Sequence, residues 1–124
     1  MHETPNSNDC IILGSFLSKA ANRWTLLIAR TLGDGPRRFN ALRREIGQIS
    51  QKMLASTLRD MEENGLITRT VTPTIPPQVE YGLTELGMDF LVPVNVMAAW
   101  IIENGARING ARTLYASRDK SGGA

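Results

Sequence analysis

Gln51, Lys52, Ser56 and Arg59 recur at a spacing that would set all four on one side of a helix, with only Ala55 between them on that side. Such a stripe carries donors and acceptors with little bulk, which is what base edges in a DNA major groove accept. Gln can pair with adenine, Lys can reach guanine acceptors or a phosphate, and Ser can bond many bases. Arg59, a turn or more further along, is placed for phosphate. Arg37, Arg38, Arg43 and Arg44 come earlier in the chain, where cations usually position a protein on the backbone rather than read sequence. From Arg37 to Arg59 the only acid is Glu45. That local field matters more than the formal net charge of +2, because phosphate contacts are screened within about 10 Å. Each cation alone is ordinarily a solvated surface residue; the conjunction is what points to DNA.

Other chemistries find little support. The only histidine is His2, in a polar end, and no His, Cys and carboxylate set has metal-ligand spacing. Glu62 and Glu63 are adjacent and splay apart on a helix, so they form no acid–base pair. Gly33-Asp34-Gly35 ends a helix rather than opening one around a phosphate. The chain therefore reads as a non-enzyme with no metal and no cofactor. A single cysteine, Cys10, excludes an intrachain disulfide. The start MHETPNSND lacks the basic and apolar parts of a signal peptide, and no apolar run approaches the ~20 residues of a membrane span. A cytoplasmic protein without membrane contact is expected.

The elements that must carry these residues follow from periodicity. At 124 residues the chain has room for one core. Residues 1–9 and 115–124 are polar or Gly/Ser-rich and read as a mobile start and a flexible tail around a domain at 10–114. Apolar spacing predicts helices over 11–21 and 24–32, ended by Gly33, Asp34, Gly35 and Pro36. A third helix, 38–46, would bury Phe39, Leu42 and Ile46. After a break at Gly47, Ser50 caps a fourth helix that runs to Asn64, its inner stripe Met53, Leu54, Leu58 and Met61. Residues 66–72 and 79–83 are β-prone and alternate, and Pro73, Pro76 and Pro77 force an open loop between them. Thr84 can cap a last helical region, 85–114, which Pro93 should kink or restart. Two helices around a short turn, then a hairpin, make a winged helix: α+β, mainly α.

The strings NRWTLLIARTL, GPRRFNALRREI, ISQKMLASTLRDMEENGLITR and IPPQVEYGLTELG stand in an order and spacing that resemble the HxlR family of bacterial winged helix-turn-helix transcription regulators. The resemblance covers roughly three-quarters of the chain, on the count of residues from Cys10 to Trp100. It implies a homodimer on a palindromic double-stranded DNA operator, acting as a repressor, with 50–64 as recognition helix and 72–79 as wing. Ser50 and the Gln51–Arg59 stripe would meet bases and phosphates, and added N- and C-terminal helices would dimerise. Leu13, Phe16, Leu17, Phe90, Val94, Met97, Trp100 and Ile101 would then form the interface. Two departures stand out. The wing has Gln78 where relatives often carry a cation, so Thr72, Thr74 and Gln78 would touch sugar and backbone. Ile11 rather than proline follows Cys10.

Cys10 matches the place of a cysteine through which several relatives sense electrophiles or oxidants. Such chemistry runs through the thiolate, which a helix N-terminus favours and neighbouring Asp9 opposes. The plainer role is a small hydrophobe at the head of a helix. A small-molecule effector is the other route, with Phe16, Trp24, Met97, Trp100 and Tyr115 as candidate lining. The alternative to DNA binding is a winged-helix protein-interaction module, which the weakly charged wing favours.

Overall fold

Asn22 divides the first apolar stretch into two helices. In the computed structural model, which describes residues 7–122, α1 spans Ser7–Ala20 and α2 spans Arg23–Leu32. Asn22 Oδ1 accepts the Thr25 amide at 3.0 Å while its Nδ2 donates to the Lys19 carbonyl at 2.8 Å. One side chain thus serves an orphan donor at a helix start and an orphan acceptor at the preceding helix end. The chain continues as β1 (Arg37–Arg38), α3 (Phe39–Ile46), α4 (Gln51–Glu63), β2 (Ile67–Thr72), β3 (Gln78–Leu83), α5 (Glu85–Glu103) and α6 (Gly105–Gly122).

The result is a mainly helical α+β fold, a winged helix-turn-helix with added helices at both ends. The sheet has the order β1-β3-β2, all antiparallel, with Arg69 opposite Tyr81 and Ile67 opposite Leu83. β1 is absent from the sequence-based reading, since two residues carry no alternation; Arg38 stands at the N-cap of α3 rather than inside it. Ile28 and Leu32 of α2, Leu42 of α3, Leu54, Leu58 and Met61 of α4, and Leu66 and Ile67 at the hairpin form one buried core. By contacts the chain divides into Met1–Val92, which holds this core and the sheet, and Pro93–Ala124, which is helical on both sides of Asn104.

Parts of both ends that composition marks as mobile are helical. Residues 7–9 open α1, where Asp9 in the first turn favours the positive end of the helix dipole. Positions 1–6, His2 among them, lie outside the described residues. The expected flexible tail from Tyr115 is helical to Gly122, because the Ala-, Arg- and Leu-containing run before it has good helix propensity and no proline; positions 123–124 lie outside the described residues. The interruption in the last helical region falls at Asn104 and not at Pro93, through which α5 runs. Asn104 Nδ2 donates to the Trp100 carbonyl at 2.8 Å, and its Oδ1 accepts from Arg107 at 2.9 Å.

α5 is long and apolar in composition without being an unbroken apolar run. Gly87, Asp89, Pro93 and Asn95 interrupt it in sequence, yet its mean hydropathy over an 18-residue window is 1.4, enough by length and composition for a membrane span. Its start is locked to the hairpin. Thr84 Oγ1 accepts the Gly87 amide at 3.0 Å and donates to the Gly65 carbonyl at 2.6 Å, and the Thr84 amide donates to the Leu66 carbonyl at 3.0 Å. This brings the Leu66 carbonyl so close to Gly87 that a Cβ there would collide with backbone. Gly87→Ala should therefore cost about 1–3 kcal/mol in chemical denaturation. Gly14→Ala, with no atom within 4 Å of the new methyl, should leave the protein at least as stable.

Candidate nucleic-acid interface

The turn between α3 and α4 is built from backbone needs. Gly47 sits at φ +88°, a conformation that L side chains resist, and its amide donates to the Arg43 carbonyl at 3.0 Å. Arg43 Nε donates back to the Ile49 carbonyl at 3.2 Å, and Ile49 is buried. Ser50 Oγ then accepts the Met53 amide at 3.0 Å and caps α4. The four expected features of this unit, the two helices, the glycine break and the serine cap, are all present.

α4 buries Leu54, Thr57, Leu58 and Met61. Because the helix turns about 100° per residue, burial of that stripe turns Lys52, Ser56 and Arg59 to the opposite side, with Ala55 and then Gln51 nearer its edge; Gln51, Lys52 and Arg59 are exposed, and Ala55 and Ser56 half-buried. Met53, expected inside, is 45% exposed; it lies one residue before Leu54 and so falls outside the stripe's edge. At the far end of α4, Lys19 of α1 pairs with Asp60 at 3.8 Å and Glu63 at 3.5 Å. Lys52 lies at the start of α4, where the helix dipole adds to its positive charge.

The arginines before α4 do not share one role. Arg37 Nε pairs with Glu45 at 2.7 Å and its Nη1 donates to the Gly35 and Pro36 carbonyls at 2.9 and 3.1 Å. Its side chain is only 25% exposed, so it fastens β1 to α3 instead of facing solvent as a phosphate ligand. Arg38 Nη2 donates to Gln78 Oε1 at 2.6 Å, which spends that wing acceptor inside the sheet. Arg43 holds the turn. Arg44 and Lys52 are exposed and enter no hydrogen bond or ion pair with the described residues. Arg44 shares an open depression with Asn40, Arg43 and Gln48, two of which are polar neighbours that the sequence reading passed over. On the wing, Thr72, Thr74 and Gln78 are exposed, and Thr74 Oγ1 donates to the Pro76 carbonyl at 2.8 Å.

The expected interface residues divide in the same way. Leu13 and Leu17 of α1 and Met97, Trp100 and Ile101 of α5 are exposed. Phe16 and Phe90 are instead half-buried and meet edge-to-face with ring centroids 5.6 Å apart. Val94 is 2% exposed, which corrects its place among surface contacts. It falls on the α5 face with Gly87, Phe90 and Leu91, spaced three and four residues apart, where burial is greatest. Trp24 packs on the core and Tyr115 is exposed. Cys10 is exposed on α1. Among the described residues no group of His, Cys, Asp and Glu is placed to hold a metal ion.

Comparison with known proteins agrees with the fold. The HxlR-like helix-turn-helix family matches residues 20–109. The HTH-type transcriptional regulator YtfH of Escherichia coli is 44% identical over 85 residues, covering 68% of each chain. The solved structure of the transcriptional regulator YtfH from Salmonella typhimurium superposes with a TM-score of 0.74 at 39% identity, covering 80% of this chain and 88% of that one. The redox regulator HypR in its oxidised form superposes with a TM-score of 0.68 at 35% identity, covering 74% of this chain and 95% of that one.

Loss of the Arg37 contacts should register in folding. Arg37→Ala is expected to lower unfolding free energy by about 1 kcal/mol, because an exposed ion pair adds little but two hydrogen bonds from a charged donor go with it. Urea denaturation of the variant beside wild type measures it.

Proposed function

The chain belongs to the HxlR family of helix-turn-helix transcription regulators, and from that premise we propose that it acts as a homodimeric repressor on a palindromic operator. The observation that carries this reading is the outward face of α4, where Gln51 and Lys52 stand exposed on a capped helix start with Arg44 on the neighbouring helix. Small polar groups and a cation at a recognition-helix N-terminus suit major-groove bases. The wing flanks the duplex through Thr72, Thr74 and the Gln78 amide, without charge of its own at the tip. Arg38 and Arg43 act by holding the sheet and the turn in place. The protein works in the cytoplasm and needs no cofactor or catalytic residue.

Two subunits are the natural account of the exposed apolar side chains on the terminal helices. Trp100, Met97 and Ile101 of α5 and Leu13 and Leu17 of α1 are exposed, and apolar surface of that kind marks partners. Pairing of two copies sets two recognition helices at a fixed separation, as a two-fold symmetric operator requires. The same exposure accounts for the hydropathy of α5 without a membrane.

Cys10 is the proposed effector site. It is exposed near the head of α1, and a relative is a redox regulator. With one cysteine per chain, the thiolate would attack an electrophilic carbon, or exchange with an oxidised low-molecular-weight disulfide to form a mixed disulfide and release one thiol. α1 is joined to α4 through Lys19, so a change at Cys10 has a physical route to the recognition helix.

Selecting bound sequences from a random DNA pool tests the whole reading, and enrichment of inverted repeats is expected. Gln51→Ala and Lys52→Ala should relax the selected sequence. Arg44→Ala should weaken all duplexes alike, and Trp100→Glu should yield monomers in sedimentation with loss of palindrome binding. Absence of any enriched sequence would overturn the proposal. For the effector, oxidised glutathione should change operator affinity of wild type and leave Cys10→Ser unaffected; an equal response in both would remove Cys10 from the mechanism.

A further inference from the structure

Strand alternation places an arginine where the sequence reading assigned none. In β2, Ile67, Arg69 and Val71 share one face, opposite Leu83, Tyr81 and Val79 of β3. Ile67 is buried in the core with Leu54, Leu58 and Met61 of α4, so the face carrying Arg69 is the one turned toward α4. Arg69 is the next residue outward on that face. On α4, Ala55, Arg59 and Glu62 are four and three residues apart and line the facing wall. Between the two walls lies a cleft of about 340 Å³, lined by these residues with Leu58 and Tyr81.

The charges of this cleft are not internally resolved. Arg59 and Arg69 both line it, and neither makes an ion pair or hydrogen bond with the described residues, Glu62 included. Two guanidiniums and one carboxylate leave a net charge of +1 in one concavity, with the Tyr81 ring as a further wall. Guanidiniums present planar forks of donors that match phosphate oxygens. A phosphodiester carries one negative charge, which matches the residual +1. Arg59 also belongs to the outward face of α4, so one wall of the cleft continues the surface that reads bases.

We propose that this cleft is an anion clamp in which Arg69 and Arg59 hold one backbone phosphodiester of the duplex bound by α4. The clamp gives the hairpin a charged contact at its base, on the side facing the recognition helix, in place of the cation that its tip lacks. It rests on the DNA-binding reading above and adds to it a residue, Arg69, and a place on the DNA backbone. A phosphate held there fixes how deeply α4 enters the groove, because the same two elements form both walls.

The test is the salt dependence of duplex binding by the full-length protein, for the selected operator and for a random duplex. Arg69→Gln should reduce the slope of log affinity against log salt by about 0.9 per subunit, with the same fold loss on both duplexes and no change in the preferred sequence. Arg69→Lys, which keeps the charge, should restore the slope. An unchanged slope in Arg69→Gln, with Lys52→Ala still impaired on the operator, would overturn the clamp alone. Failure of wild type to bind any duplex would overturn both readings. Inorganic phosphate that binds wild type but not Arg69→Gln, while the DNA slope is unchanged, would mark a small-anion pocket and also overturn the clamp. Should Arg69→Gln fold poorly by circular dichroism, the Arg69 Nε–H resonance of wild type decides: it should shift on adding duplex, and a stationary signal overturns the proposal.

Discussion

Burial of Leu54, Leu58 and Met61 of α4 in the same core as Ile28 and Leu32 of α2 is the constraint from which the rest of this molecule follows. A helix cannot rotate about its axis once three positions of its stripe are packed, so this burial decides which residues face outward. Ile49, buried just before the helix, and the Ser50 cap fix where α4 begins. Ile67, in the same core, fixes which face of the hairpin turns toward α4. The positions of Gln51, Lys52 and Arg69 are therefore consequences of apolar packing several ångströms away from them.

Around that core, the cations separate by what lies within reach. Arg37 finds Glu45 and two carbonyls, Arg38 finds Gln78, and Arg43 finds the Ile49 carbonyl. Each bond holds β1, the sheet or the turn in place beside α4. Among the described residues, Arg44, Lys52, Arg59 and Arg69 make no hydrogen bond or ion pair, although Glu62 lines the same cleft as the last two. An arginine-rich segment thus divides into cations bonded within the fold and cations left without an internal bond, and the placement of acceptors tells the two apart.

α5 carries apolar residues on more than one face, and burial divides them. Gly87, Phe90, Leu91 and Val94 are the least exposed, whereas Val92, Val96, Met97 and Trp100 are left to solvent. A helix apolar on both sides has more hydrophobic surface than this chain covers, which is the physical content of proposing a second subunit. The same excess raises its mean hydropathy to that of a membrane span, although Asp89, Pro93 and Asn95 stand within it.

Local chemistry was legible in the residues themselves. Apolar periodicity located the helices, Ser50 and Thr84 announced their caps, Gly47 marked the turn, and three prolines marked the open wing loop, because each of these acts within a few residues of itself. The motif strings carried the family for the same reason, as they record local order and spacing. What the sequence could not assign were outcomes of distant pairing. β1 exists only because β3 lies beside Arg37 and Arg38, and Arg37 is a fastening because Glu45 is in reach. Val94 is buried where Trp100 is not, and Arg69 faces α4 because Ile67, two residues before it, is held in the core. These depend on which residues meet across different elements. Periodicity within one element carries no record of its neighbours, so only the tertiary structure could decide them.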